Sequence, residues 1–275
     1  MALRHPDVDV EAITVVSGNV PVEQGVQNAL YTVELAGASV PVYAGRSGTQ
    51  MHAHDVHGQD GMGDIGLDVR GRTAAEGDAV DVLVETVRAH PGELTLVTLG
   101  PLTNVAAALA HGIAPLLREV VVMGGTSDDV GNVTPVAEYN VWADVSAAAA
   151  VFDSDAAITM VGWDVSRKYA VISPADADEL RSLGPLGAFG VGIQRTLIEF
   201  CRTHTKLDGF DLPDPIAMAI ALDPSTAVDV RAARVTVDRE TGQTFVDETA
   251  TPNARVVVEA SRERFLALLR DALRG

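Results

Sequence analysis

Cysteine is almost absent: Cys201 stands alone, so no intrachain disulfide can form, and a reducing, cytoplasmic setting is expected. Basic residues are scarce as well, 20 Lys and Arg against 38 Asp and Glu, for a formal net charge of −18. A polyanion would be repelled by such a chain unless a local basic stripe existed, and none does, so no nucleic-acid partner is expected. No apolar run is long enough to cross a bilayer. Met1 to Val10 carries charges and His5-Pro6 where a signal peptide needs an apolar core, so no membrane partner is expected. Common chemical signatures are missing too. There is no G-x-G-x-x-G at a strand–helix turn, no G-x-x-x-x-G-K-[ST], no H-E-x-x-H and no G-x-S-x-G, which removes the usual nucleotide-phosphate, zincin and hydrolase-elbow readings.

What the sequence does have is 275 residues, 47% of them hydrophobic, ample for one large core. Strand-like and helix-like periods alternate through the first half. Residues 12–16 (AITVV) read as a strand leaving through Ser17-Gly18-Asn19, 22–36 as an amphipathic helix and 40–43 as a second strand. Helices are expected at 74–90, 103–111 and 144–152, with strands at 94–99, 119–123 and 157–161. Such βα repeats imply an open, mostly parallel, Rossmann-like sheet with helices on both faces. In the second half, Ser173-Pro174 opens a helix over 175–183, 186–205 reads as one long helix, and Asp214-Pro215 begins a short apolar helix ending near Leu222. Strands at 233–237, 244–246 and 255–259 and a closing helix at 261–273 complete the pattern. No linker composition or repeat divides the chain, so a single domain over 1–275 is expected.

The chemistry concentrates in MGGTSDDVGNVTPVAEYNVWADVSAA, residues 123–148. It follows the strand at 119–123, which puts Gly124 and Gly125 at that strand's carboxyl end, where open α/β sheets bind ligands. Asn132, Glu138 and Asn140 then supply two amides and a carboxylate, a set that both donates to and accepts from adjacent sugar hydroxyls. A surface loop that is polar because loops usually are carries equal weight on these residues alone. The 45–71 segment is Gly- and His-rich and too long for an ordinary connection, so it is a candidate functional loop. His52, His54 and His57 within it could ligate zinc, but no second cluster accompanies them, and a structural or substrate-facing role ranks higher. Of Asp208, Asp211 and Asp214, the last sits just before a helix-opening proline and is the functional candidate.

Together these residues resemble the inosine–uridine-preferring nucleoside hydrolase family. The match runs in order through Val15-Val16-Ser17-Gly18-Asn19, His57-Gly58-Gln59-Asp60-Gly61-Met62-Gly63, Leu99-Gly100-Pro101-Leu102-Thr103-Asn104, Met123-Gly124-Gly125, Gly131-Asn132 with Glu138-Tyr139-Asn140, and Asp214-Pro215. The resemblance implies hydrolysis of the N-glycosidic bond of a ribonucleoside to free base and ribose, with Ca²⁺ holding the attacking water. It implies that Asn19, Met123, Asn132, Glu138, Asn140 and Asp214 hold the ribose. It also implies that Asp214 and the backbone carbonyl of Leu99 ligate the metal, and that the protein is a homo-oligomer, a dimer or tetramer. Base preference is expected from the loop 51–63 and the segment 186–209.

Two departures stand beside the match. The family opens with a strand and a D-x-D-x-x-x-D-D segment that supplies most calcium carboxylates and the base; here Met1-Ala2-Leu3-Arg4-His5-Pro6 resembles the tail of the helix after it. The expectation is that Met1 is an internal methionine and that the first strand of the fold is missing. The second departure is Pro213, where many relatives carry a histidine that protonates the leaving base. His57, or departure without a side-chain acid, takes its place. A non-catalytic relative that binds a nucleoside or ribose is the alternative function.

Overall fold

The computed structural model describes residues 1–48, 51–205 and 207–274. Its central feature is a sheet of six strands in the order β3-β4-β5-β10-β8-β9. These strands are β3 (Thr95–Thr98), β4 (Glu119–Met123), β5 (Ile158–Val161), β8 (Ala227–Val237), β9 (Thr244–Asp247) and β10 (Ala254–Ala260). The first four positions run parallel, and β8 and β9 add on antiparallel. Alternation along each strand sends neighbouring side chains to opposite faces. Val120 and Val122 of β4 therefore join one apolar cluster, while Val121 and Met123 join the other.

Helices cover both faces. On the first lie α3 (Ala79–Ala89), α4 (Thr103–Leu109) and α6 (Val145–Phe152); Val80, Val84, Val105, Val151 and Phe152 fill that cluster. On the second lie α7 (Trp163–Tyr169), α8 (Pro174–Ser182), α11 (Pro213–Leu222) and α12 (Arg262–Leu273), contributing Val165, Leu180, Ile216, Phe265 and Leu269. Local sequence accounts for the starts of several. The Asp78 carboxylate accepts the Val80 and Asp81 N–H groups to cap α3, and Ser173 with Asp176 closes a capping box on α8. The Asp144 carboxylate likewise caps α6 through the Ala147 N–H.

Two expectations about continuity are corrected. The strands β1 (Ile13–Val15) and β2 (Val42–Ala44) form a separate parallel pair with α1 (Val22–Leu35) packed on it, and are not hydrogen-bonded to the six-stranded sheet. Side-chain bonds make the junction: Asn104 on α4 donates through Nδ2 to the Val15 carbonyl at 3.1 Å and accepts the Arg46 N–H through Oδ1 at 2.9 Å. A Cβ on Gly45 would collide with that amide, which explains the glycine. The single helix expected over 186–205 is instead α9 (Pro185–Gly192), α10 (Arg195–Phe200) and a π-helical turn at Cys201–Thr205. Its glycines serve packing: a Cβ on Gly187 would run into the Leu180 carbonyl of α8. A second small sheet pairs β6 (Val171–Ile172) with β7 (Phe210–Asp211), antiparallel. The 45–71 segment contains one short helix, α2 (His54–His57), and positions 49 and 50 lie outside the described residues.

Candidate active site

Strand β4 is buried from Val120 onward and leaves the sheet through Gly124 and Gly125. Gly125 has φ +71°, and a Cβ there would meet Met160 Cε and Thr244 Cγ2 at 2.8 Å each, so only glycine fits. The loop beyond folds on itself: Asn132 and Val133 donate their N–H groups to the Ala137 carbonyl at 3.1 and 3.3 Å, and Gly131 leaves no room for a Cβ.

The three polar residues that follow serve capping and loop closure as well as offering groups to a ligand. Glu138, 2% exposed, is the N-cap of α5 (Tyr139–Ala143). Its Oε1 accepts the Asn140 N–H at 2.9 Å, and its Oε2 accepts those of Gly125 and Val141 at 2.9 and 3.1 Å. Asn132 Oδ1 accepts the Tyr139 N–H at 2.8 Å, and buried Asn140 donates through Nδ2 to the Met123 carbonyl at 3.2 Å and to its sulfur at 3.2 Å. These bonds bring Met123, Asn132, Glu138 and Asn140 into one rigid unit. They leave the Asn132 Nδ2 donor, the Asn140 Oδ1 acceptor and residual capacity on Glu138 Oε1 for a ligand.

Tyr139 extends the unit across the site mouth, its hydroxyl donating to the Met51 carbonyl at 2.7 Å. Burial, with the Glu138 charge behind it, pushes that phenol up to about 12, so it remains a donor. Next along, His52 Nδ1 lies 2.8 Å from the Gly18 carbonyl, and the Ala53 N–H donates to the Asn19 carbonyl at 3.2 Å. Asn19 therefore stands at the carboxyl end of β1 on the same rim as Met51. Leu99, one residue past β3, is 39% exposed.

Asp214 lies in the first turn of α11, which packs against β3 and β4. Protein surrounds its carboxylate densely although its surface is only partly closed. Burial first, and the neighbouring Glu138 charge second, push it up to about 7. Burial likewise raises Glu138 to about 7 against the pull of its three N–H donors. Among the described residues Asp214 accepts no side-chain hydrogen bond and makes no ion pair. The other two acidic candidates differ. Asp211 accepts Trp163 Nε1 at 3.0 Å and Ser166 Oγ at 2.7 Å, which is a structural task, and Asp208 is exposed.

His57 ends α2, which packs against α10. No hydrogen bond joins its ring to Asn19, Met123, Asn132, Glu138, Asn140 or Asp214, and burial lowers its pKa to about 4. A ring that is neutral at pH 7 carries no acidic proton to give a leaving base. His52 and His54 rings stand 5.5 Å apart without a third ligand, and no group of three His, Cys, Asp or Glu able to hold a metal occurs among the described residues. The oxygens assignable to Ca²⁺ are the Asp214 carboxylate and the Leu99 carbonyl, short of the six to eight the ion takes. The described residues do not fit a complete calcium site.

The family model of the inosine-uridine preferring nucleoside hydrolases matches residues 1–267. The chain belongs to that family. It is 35% identical to uridine nucleosidase 1 of Arabidopsis thaliana over 236 residues, covering 82% of this chain and 69% of that protein. It is 30% identical to a pyrimidine-specific ribonucleoside hydrolase of Escherichia coli, covering 100% of this chain and 92% of that protein. A solved plant nucleoside hydrolase superposes with a TM-score of 0.92 at 30% identity, covering 100% of this chain and 93% of the other. This nucleoside hydrolase fold is α/β with a mostly parallel central sheet, as its alternating periods imply.

Sequence reasoning missed the residues that hold the site from behind. Asp164, fully buried at the start of α7, accepts the Ser127 N–H at 3.0 Å and its hydroxyl at 2.8 Å. Thr244 on β9 bonds Thr126 from 118 positions away. Nothing local in the sequence announces either contact.

Proposed function

We propose that the pocket at the carboxyl ends of β1, β3 and β4 grips the ribose of a ribonucleoside while the N-glycosidic bond is hydrolysed to free base and ribose. The reaction class is that of the family to which the chain belongs, an N-ribosyl nucleoside hydrolase. The observation that carries the ribose assignment is Asp214: a densely surrounded carboxylate beside the Glu138 charge, with no hydrogen-bond partner among the described residues. A half-buried acceptor whose oxygens are free for a ligand is suited to adjacent hydroxyls, and the unused valences of Asn132, Glu138 and Asn140 add donors and acceptors.

Loss of the base leaves positive charge on the ribose ring, an oxocarbenium-like state. The charge on the Asp214–Glu138 pair stabilises that state more than the neutral ground state, which is the form of binding that raises kcat. Bonds from Asn140 and Asn132 fix the sugar's orientation. With His57 neutral and Pro213 without a proton to give, neither of these two positions protonates the leaving base. Calcium belongs to the reading through the family resemblance only. A homo-oligomer, dimer or tetramer, is carried in the same way, and a cytoplasmic location rests on the lone cysteine; sedimentation and fractionation measure them.

The test is incubation with uridine and with inosine, following free base by chromatography and competition by free ribose. Release of base with ribose competing supports the proposal; ribose failing to compete at any concentration overturns it. The shortfall of metal-ligating oxygens favours one second reading, a relative that binds nucleoside without turning it over. Calorimetric binding of uridine with no base released would select it.

A further inference from the structure

The turn that leaves β4 has a bonding partner for almost every polar group of its three residues. The Gly125 N–H goes to Glu138 Oε2, and its carbonyl accepts the Trp163 N–H at 2.9 Å. The Ser127 N–H and hydroxyl both go to Asp164. Thr126, fully buried, is served at both ends by one atom: Thr244 Oγ1 accepts its N–H at 2.9 Å and donates to its carbonyl at 2.7 Å. Thr244 is itself 2% exposed. Its methyl faces Gly125, filling the space a Cβ on that glycine would need.

Thr244 arrives there because β9 is the outer strand of the sheet, paired with β8 through Val237↔Thr244, and the hairpin between them folds over the loop. Gln243 Nε2 donates to Asp129 Oδ1 at 3.0 Å, and Gly242 lies against Trp142 of α5. The hairpin thus spans the turn on one side and α5 on the other, the two elements between which the Glu138 carboxylate is bonded.

We propose that Thr244 is a positioning residue for nucleoside hydrolysis: its hydroxyl fixes the Gly125–Thr126 turn, and through the Gly125 N–H fixes the Glu138 carboxylate against the sugar. The proposal rests on the ribose reading of the pocket and adds a residue that touches neither sugar nor base. Two substitutions separate the hydroxyl from the methyl. Thr244→Val keeps the shape and leaves both Thr126 backbone groups without a partner, whereas Thr244→Ser keeps both bonds and loses the packing.

The experiment is steady-state hydrolysis of uridine by both variants and wild type, at a temperature well below each melting transition, with ribose competition in parallel. Thr244→Val is expected to lower kcat/KM about tenfold or more, chiefly in kcat, since a displacement near 1 Å of a group that acts in the transition state has that scale. Thr244→Ser is expected within about twofold of wild type. A role in packing alone predicts the reverse ranking, and that ranking, or wild-type kinetics in Thr244→Val, overturns the proposal. If Thr244→Val does not fold, Ser127→Ala, which removes one bond from the same turn, takes its place. A kcat loss of about threefold in Ser127→Ala supports the proposal and wild-type kcat overturns it. Absence of ribose competition in wild type counts against the ribose reading, while the ranking of Thr244→Val and Thr244→Ser in uridine hydrolysis still decides the role of Thr244.

Discussion

Buried Glu138 and half-buried Asp214 are two densely surrounded carboxyls raised to about 7, yet only Glu138 is tied into the backbone. Three N–H groups hold the Glu138 carboxylate, and none of the described groups hydrogen-bonds that of Asp214. The two sites therefore respond differently to removal of charge.

Asp214→Asn should abolish turnover while the fold becomes more stable at high pH. A carboxyl raised from 3.8 to about 7 favours the folded state fully below its unfolded pKa, and that stabilisation is lost as pH rises through about 7. Above pH 7 the wild-type protein carries an ionised group in this densely surrounded place, whereas the variant carries a neutral amide. The variant should then be more stable by on the order of 1–3 kcal/mol at pH 8 and gain little at pH 4, read by urea unfolding at both values. Equal stabilities at pH 8, or retained activity, would remove Asp214 from the pocket's chemistry.

Glu138→Gln should behave in the opposite way. Its amide can accept through one oxygen only, which leaves at least one buried N–H of Gly125, Asn140 or Val141 facing a donor. A stability loss of about 1–3 kcal/mol is expected together with the fall in kcat/KM, so melting and kinetics move as one. Asn140→Ala should show a loss of about 1 kcal/mol, for the bond to the Met123 carbonyl, with a comparable kinetic defect.

His57 sets an acid limb to stability. Its pKa falls from 6.5 to about 4 on folding, so its contribution is present above pH 6.5 and is lost as pH falls through 4, when the unfolded chain takes the proton first. His57→Gln should flatten the decline between pH 6.5 and 4 by up to about 3 kcal/mol, measured as chemical-denaturation midpoints. An unchanged slope would mean the ring is not closed off from water.

Thr226 offers a change far from the pocket. It is fully buried, and its hydroxyl has no hydrogen-bond partner among the described residues. Thr226→Val should raise the melting temperature, by an amount equivalent to about 1 kcal/mol, and leave uridine hydrolysis unaltered. A lower melting temperature would show that the hydroxyl is bonded in solution.

Calcium is the sharpest test of the residues this chain supplies. With one carboxylate and one carbonyl assignable to it, titration calorimetry should find no site tighter than roughly 10⁻⁴ M, the weak end of protein calcium sites. A tighter site would mean that oxygens now engaged elsewhere, such as those of Glu138, turn to the ion.

The sequence by itself determined what depends on neighbours along the chain. Alternating periods gave the βα order, Ser173 marked a helix start through a cap one turn long, and Gly124-Gly125 after an apolar strand marked the carboxyl end of β4; α3, capped by Asp78, starts at Ala79 rather than at the expected 74. It also pointed to Asp214, because an acid ahead of a helix-opening proline is a local pattern. Tertiary structure alone decided the rest. Glu138 became the cap of α5, a task in which glutamate is not the usual residue, because the Gly125 N–H comes within 2.9 Å of it. The β1–β2 pair stands off the main sheet because Asn104 meets the Val15 carbonyl across 89 positions, and Thr244 and Asp164 reach the β4 turn across 118 and 37. A hydrogen bond depends on distance in space, and only the packed fold brings residues so far apart in sequence to about 3 Å.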